Sequence, residues 1–360
     1  MSTVCRHFAA LLVIFMVNPT LPPAAMLLLG MAAAILCSAS IIALLSTLRR
    51  YALARPNARS SHTLPTAQGG GIAVVLSTLS CVAVALSYFG LSLTPSLLAL
   101  TLATLALAFL GAIDDIRPLP PMPRLLAQAV AMAFVLFALP ASLRIIPDLP
   151  LWLERAFVLI GGLWFINLVN FMDGLDWMTV AEILPITMAL AAFGLWGKLP
   201  TDISIVAAAL AGAMIGSAPF NKPVARLFLG DVGSLPIGLL TGWCLLNLAG
   251  QQHLTAAILL PLYYLADATL TLLRRARNGE AFWLAHRSHF YQRATTNGFT
   301  VKQVVGEVFV LNLSLAALAT FSIVNAAAAV NVLLLICGLS AVTLVLWRFS
   351  RIRVATQSGR

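Results

Sequence analysis

Long apolar runs alternate with short polar breaks along this chain. The first convincing run covers roughly 26–48. Others follow at roughly 71–90, 94–113, 124–143, 152–170, 178–196, 202–219, 233–250, 254–273, 304–325 and 327–347. Each is near the length of about 20 residues that a helix needs to cross a bilayer core. The pattern predicts an all-α, polytopic integral membrane protein with about eleven transmembrane helices. Residues 8–17 are apolar but too short to span. Residues 1–25 therefore read as a leader or extension of unknown role, with Met26 as a candidate start. Residues 26–348 read as a single transmembrane domain and 349–360 as a basic tail.

Composition agrees with the pattern. The chain is 61% hydrophobic and only 9% charged, with a mean hydropathy of +0.97. These values lie outside the soluble globular range. The net charge of +10 invites a nucleic-acid reading, but topology explains it better and no nucleic acid is expected as a partner. If the loop at 49–70 is cytoplasmic, every Lys and Arg except Arg6, Arg144, Arg155 and Lys198 falls on the cytoplasmic side, as the positive-inside rule requires. The N-terminus is then outside and the C-terminus inside. The five cysteines show no metal-ligand spacing and read as small buried hydrophobes.

The same frame gathers the unusual polar residues on one face. The densest stretch is Asn167-Leu168-Val169-Asn170-Phe171-Met172-Asp173-Gly174-Leu175-Asp176, where a buried helix meets water. Hydrocarbon tolerates such groups where they line a cavity, pair or hold an ion, so this stretch reads as half of a metal and nucleotide site. Asp114-Asp115 closes the third run. Adjacent carboxylates repel and oppose the helix C-terminal dipole, which a divalent cation or a positive substrate group would relieve. A solvated acid pair is the plain alternative. Phe228-Leu229-Gly230-Asp231-Val232-Gly233-Ser234 opens another run. Its glycines permit close approach of a ligand, the helix start offers amides to an anion, and Asp231 suits Mg²⁺, although aspartate is also an ordinary N-cap.

The longest cytoplasmic loop carries His286-Arg287-Ser288-His289-Phe290-Tyr291-Gln292-Arg293. Histidines beside arginines suit phosphate binding or proton transfer better than zinc, which lacks a further ligand nearby. A glycine run, Gly69-Gly70-Gly71, follows Arg59-Ser60-Ser61-His62-Thr63-Leu64-Pro65-Thr66-Ala67-Gln68 and again suggests backbone close to a ligand. Glu182 and Asp267 lie inside apolar runs, where each is either functional or paired with another helix.

Taken in order, these motifs resemble the polyprenyl-phosphate N-acetylhexosamine-1-phosphate transferases, the membrane superfamily that includes MraY, WecA and TagO. The His-Arg-x-His-x-Tyr-Gln-Arg form is closest to the WbpL-type branch that initiates O-antigen. The likeness covers roughly residues 26–300, making 26–348 a catalytic domain. It implies Asp114 and Asp115 as the essential pair and His286 and His289 as the catalytic histidine motif. It implies Asp231, with Asp173, at Mg²⁺ or Mn²⁺. Asn167, Asn170, Asp173, Asp176, Asn221, Phe228, Arg287 and Arg293 become substrate-binding residues, with Asn221 and Phe228 against uracil. The activity implied is transfer of a sugar-1-phosphate from a UDP-sugar to undecaprenyl phosphate in a bacterial inner membrane, for O-antigen or another envelope polysaccharide, and a homodimer is compatible with it. Two departures stand out. Ala67 and Gln68 replace the family's usual Pro-Arg, and Arg124 is displaced from Asp114-Asp115 by a proline-rich insert. The rival class is a transporter or lipid flippase, which would keep its polar site near the membrane midplane.

Overall fold

The computed structural model describes residues 21–54, 65–280 and 286–353. Every predicted run but the ninth appears in it as one helix. In chain order these are α1 (Pro23–Tyr51), α2 (Gly71–Tyr88), α3 (Pro95–Ile116), α4 (Pro121–Ala138), α5 (Leu151–Met172), α6 (Met178–Leu195), α7 (Thr201–Ser217), α8 (Asp231–Gly250), α9 (Leu254–Leu259), α10 (Leu262–Arg277), α11 (Phe290–Thr296), α12 (Val301–Val324) and α13 (Ala328–Phe349). Among the described residues, nine of these are long and apolar enough to cross a membrane. The seventh run, α7, is apolar but has 17 residues. The ninth is not one helix but two, α9 and α10, interrupted at Leu260-Pro261. The chain is a multi-pass membrane protein.

Helix starts follow local chemistry. Proline opens α1, α3 and α4, where its missing N–H is no loss. Thr94 caps α3 by accepting from the Leu97 amide at 3.2 Å, and Thr300 with Gln303 forms a capping box on α12. The bundle is built around α8, whose spanning window is 94% buried, whereas α1 and α13 are 17% buried and expose their apolar faces to lipid. Small residues let helices close up, as expected where the hydrophobic effect does not drive association. A Cβ on Gly212 would lie 2.0 Å from the Gly30 carbonyl oxygen, and one on Gly216 would lie 2.3 Å from that of Ala34, so α7 packs directly on α1. Cys37, Cys81 and Cys244 are buried as expected, but Cys337 is exposed on α13.

Two interior carboxylates answer to structure. At the α9–α10 break, Glu182 of α6 accepts the Tyr264 amide at 3.4 Å and the Asn312 side-chain amide at 2.6 Å. It supplies an acceptor where a broken helix strands its first N–H groups. Asp267 likewise binds another element, accepting the first two amides of α11. In the loop before α5, Arg144 pairs with Glu154 at 2.5 Å, and Glu154 also accepts the Ile145 amide at 2.5 Å. A small sheet links the loops: β1 (Leu53–Ala54) runs antiparallel to β2 (Thr66–Gln68), which runs parallel to β3 (Leu227–Phe228). Arg59 and His62 lie outside the described residues, as do residues 354–360 of the tail.

Candidate active site

The ends of α3, α5 and α8 meet at one point. They approach closely because α3 carries Gly111, where a Cβ would stand 2.2 Å from the Asp231 carbonyl oxygen. The two adjacent acids of α3 then do different things. Asp115 accepts the backbone amides of Asp231 at 2.8 Å and Val232 at 3.1 Å, together with the Gln68 side-chain amide at 2.5 Å. Asp114 accepts the Leu119 amide at 2.6 Å and an Arg124 guanidinium N–H at 2.8 Å. Arg124 also stands 3.5 Å from the Asp231 carboxylate. Asn170 donates to Asp231 at 2.8 Å and to Ser234 at 2.9 Å.

Two expectations change here. The first amides of α8 are not open to a ligand anion, because Asp115 is already the anion that caps them. The glycines flanking Asp231 and those of 69–71 serve backbone packing: a Cβ on Gly71 would lie 2.1 Å from the Gly233 Cα, and one on Gly230 would lie 2.5 Å from an Asp115 carboxylate oxygen. Arg124, which the sequence suggested was displaced, is brought back by the turn through Pro118 and Pro120. Arg124 and Gln68 are thus site residues that sequence reasoning did not assign. Each sits next to a recognised motif, but neither adjacency is visible without the fold.

A second cluster adjoins the first. Trp177 adopts φ 65° at the start of α6. Its backbone amide donates to Asn221 Oδ1 at 2.7 Å, and its indole N–H donates to the Ala218 carbonyl at 2.6 Å. Asn221 in turn donates to the Leu227 carbonyl at 3.1 Å. Asp176 is buried and accepts the Ala225 amide at 3.0 Å. Asp173, Thr179, Asn221 and Phe228 line a cavity of about 20 Å³, room for about one water. Asp173 keeps some exposure at the end of α5 and accepts the Thr179 hydroxyl. Burial pushes its carboxyl up to about 7; the Thr179 bond opposes this, while Asp115 and Asp176 add to it. Asn167 does not reach either cluster. It is buried and donates to Gln128 on α4 at 2.6 Å and to the Leu163 carbonyl at 2.8 Å, a bond between helices.

The histidine loop lies beside the second cluster. His289 is buried with Nδ1 3.3 Å from Asp267. His286 stacks on it with ring centroids 4.9 Å apart, and its Nδ1 is 2.9 Å from the Ser288 hydroxyl. Burial depresses the His286 imidazole to about 4, helped by His289, Arg275 and Arg274, so it is neutral at pH 7. Arg287 is exposed and Arg293 partly so. Tyr291 joins loop to cluster, its hydroxyl donating to the Phe171 carbonyl at 3.0 Å.

A divalent cation suits this donor set. The carboxylates of Asp114 and Asp231 are within hydrogen-bonding reach of each other, with Arg124 as their cation. Among the described residues no three His, Cys, Asp or Glu side chains form a ready-made metal cage. Mg²⁺ takes one or two carboxylates and completes its shell with water and substrate phosphates.

Below the acids, α4, α5, α8, α9 and α10 enclose an apolar cavity of about 230 Å³, lined by Met132, Phe165, Gly238, Gly242, Trp243 and Leu265 among others. It follows the α5–α8 seam that also carries Asn170 and Asp231. Seven residues of helix, about 10 Å, separate Asp231 from Gly238.

The chain is similar to known proteins. Residues 97–249 match the model of the family described as Glycosyl transferase family 4, a span that contains both clusters apart from Gln68, and not the histidine loop. Decaprenyl-phosphate N-acetylglucosaminephosphotransferase of Mycobacterium leprae is 27% identical over 85% of this chain and 86% of its own length. Phospho-N-acetylmuramoyl-pentapeptide-transferase of a Synechococcus species is 33% identical over 60% of this chain and 68% of the relative. The protein of that name from Shouchella clausii is 30% identical over 59% of this chain and 70% of the relative.

Proposed function

This chain belongs to glycosyl transferase family 4, among the polyprenyl-phosphate N-acetylhexosamine-1-phosphate transferases, and we propose that it transfers an N-acetylhexosamine-1-phosphate from a UDP-sugar to undecaprenyl phosphate. The products are undecaprenyl-diphosphate-sugar and UMP. The observation that carries this reading is an acid and arginine cluster sharing one helix seam with an apolar cavity that begins about 10 Å further along α8. A lipid phosphate needs that combination: a polar mouth for its head and a dry groove for its chain.

In the reaction an oxygen of the lipid phosphate attacks the phosphorus that bears the sugar. A new P–O bond joins the two phosphates, the bond to the bridging oxygen of UMP breaks, and UMP leaves. Two anions must meet, so alignment and charge neutralisation dominate the barrier. Asp231, with Asp114 beside it, would hold Mg²⁺ or Mn²⁺, which supplies charge neutralisation at the phosphate oxygens. Asp173 lies on the nucleotide side, with Asn221 and Phe228 for the uracil and Asp176 bracing the loop. Asp115 has both oxygens occupied by neutral donors and orients α8. Asp114 retains lone pairs and takes the proton of the lipid phosphate. His286, neutral at pH 7, faces the donor phosphates with Arg287 and Arg293. The membrane is the bacterial inner membrane, with the acids on the cytoplasmic face, and the pathway is the initiation of O-antigen or a related envelope polysaccharide.

The test is UMP release by purified protein given Mg²⁺, undecaprenyl phosphate and a panel of UDP-N-acetylhexosamines, including UDP-GlcNAc and the N-acetylfucosamine and N-acetylquinovosamine nucleotides. Turnover with one donor is expected, and silence with all of them sinks the reading. Full activity in Asp231→Asn would remove the metal role.

A further inference from the structure

Asp267 is the most heavily bonded carboxylate outside the acid cluster. It is wholly buried, it lies on α10, and five groups from the described residues converge on it. The Tyr263 hydroxyl donates at 3.1 Å and the Thr271 hydroxyl at 3.3 Å, each one turn away on the same helix face. His289 Nδ1 lies at 3.3 Å. The amide of Phe290 donates to one oxygen at 3.0 Å and that of Tyr291 to the other at 3.1 Å. These amides begin α11, a helix of seven residues that is too short to be stable alone. One buried acid therefore fixes where α11 starts and how it is turned.

What α11 carries makes this matter. Its second residue, Tyr291, is fully buried and spans the distance to the end of α5, where its hydroxyl donates to the Phe171 carbonyl at 3.0 Å. Phe171 stands two residues before Asp173. The fit is tight, for a Cβ on Gly174 would lie 2.2 Å from the Tyr291 hydroxyl oxygen. The residue before α11 is His289, whose ring stacks on His286 on one side and on Tyr291 on the other, with centroids 4.9 and 5.8 Å apart. The chain of contacts thus runs from Asp267 through α11 and Tyr291 to Phe171 and the 173–176 loop, with the histidines mounted on the same piece.

We propose that Asp267 is a positioning residue for the donor side of the site, acting through α11 as a strut that sets Asp173 relative to His286. The idea rests on the UDP-sugar reading for its kinetic consequence but not for its mechanical one. Asp267 touches no substrate; it works by removing freedom from groups that do. Misplacement of reacting groups by about 1 Å costs about 100-fold in rate, so loosening the strut falls on turnover with the nucleotide sugar. The lipid groove takes Pro261 and Leu265 at the start of α10 but no residue from α11 or the histidine loop, so loosening α11 leaves it unaffected.

The test uses the full-length protein in detergent with Asp267→Asn and Tyr291→Phe, singly and together. Asp267→Asn keeps the size of the side chain but turns an NH₂ towards amide donors. Tyr291→Phe removes one hydroxyl. Each single variant is expected to lower kcat/KM for the UDP-sugar by about 10- to 100-fold, with KM for undecaprenyl phosphate unchanged. Because both act on one strut, the double variant should be no worse than the worse single, to within about twofold. Losses that multiply in the double variant overturn the strut. Amide hydrogen exchange on substrate-free protein gives the independent arm: the peptide covering 168–176 exchanges faster in both variants, and unchanged exchange there overturns the proposal whatever the kinetics do. A wild-type protein inert to every UDP-N-acetylhexosamine would sink the proposed function and leave the exchange arm to decide on Asp267. If Asp267→Asn does not give monodisperse protein, Tyr291→Phe carries the exchange arm alone.

Discussion

Asp115 caps the helix that begins with Asp231. The amides of Asp231 and Val232 both point at its carboxylate, although 116 residues separate the two acids. Gly230, the residue in the ordinary cap position, has no side chain to offer and sits at φ 78°. A carboxylate from another helix does the capping instead, where the positive end of the α8 dipole favours it.

That division of labour separates Asp114 from Asp115 experimentally. Asp115→Ala removes a helix cap, worth about 0.5–2 kcal/mol, and leaves two amides without their acceptor. Asp114→Ala removes an acceptor of one amide and one guanidinium, but it also relieves repulsion with Asp231. Both variants are expected to lose UMP release by about 100-fold or more, while Asp115→Ala shows the larger drop in thermal unfolding temperature in detergent. Equal unfolding temperatures would count against the cap.

Gln68 is the next discriminator. The family's usual residue at this position is arginine, and here a neutral amide contacts Asp115 at 2.5 Å. With Arg124 already beside Asp114 and Asp231, a second guanidinium would compete with a divalent cation. A unit charge at about 4 Å contributes about 1 kcal/mol in water and about 4 kcal/mol near a protein surface. Gln68→Arg should therefore raise the Mg²⁺ concentration giving half-maximal rate by about tenfold, whereas Gln68→Ala lowers kcat without that shift. A metal titration of both variants checks it.

Much of this was legible beforehand, and the exceptions have physical causes. Hydropathy found all eleven apolar runs because about 20 residues of hydrocarbon leave a strong signal. It missed the break at Leu260-Pro261 because apolar residues continue directly across it and the compensating group, Glu182, lies 82 residues away from Tyr264. The acid motifs were visible as types but not as partners. Neighbouring residues on a helix point about 100° apart, so Asp114 and Asp115 meet different helices, and nothing in their adjacency says so. Asn167 looked equivalent to Asn170, yet the turn between them directs one to Gln128 and the other to Asp231. Arg124 seemed displaced in sequence, but the proline turn brings it beside Asp114.

The histidine loop makes a prediction about pH. The folded protein holds His286 at about 4, below the ordinary value near 6.5, so the unfolded chain binds its proton more readily. Between about pH 4 and 6.5, stability therefore rises with pH through this group; it is fully present above 6.5 and declines as pH falls towards 4. Across pH 5.5–8 the His286 imidazole stays neutral, and the acid limb of kcat/KM in that range should be the same in His286→Gln, scaled down by a constant factor. Loss of a limb near 6.5 in the variant would mean that His286 titrates normally. Two-dimensional NMR of labelled histidine, following the ring signals through the same range, gives the value directly.

The apolar cavity supplies the last test. Gly161 lies at its margin on α5, open to the membrane side, and a Cβ there would meet nothing within 4 Å. Gly161→Phe therefore adds a bulky apolar side chain without a clash in the fold and fills part of the groove. If the groove seats a polyprenyl chain, KM for undecaprenyl phosphate should rise by about tenfold or more, since burying each methylene of a lipid contributes about 0.8 kcal/mol and several lose their place. KM for the UDP-sugar should not move, because the nucleotide side lies between α5, α6 and β3. A prenyl phosphate of one or two isoprene units, too short to reach Gly161, should be used equally well by both proteins. An unchanged KM for the long acceptor in Gly161→Phe would put the lipid chain elsewhere on the bundle.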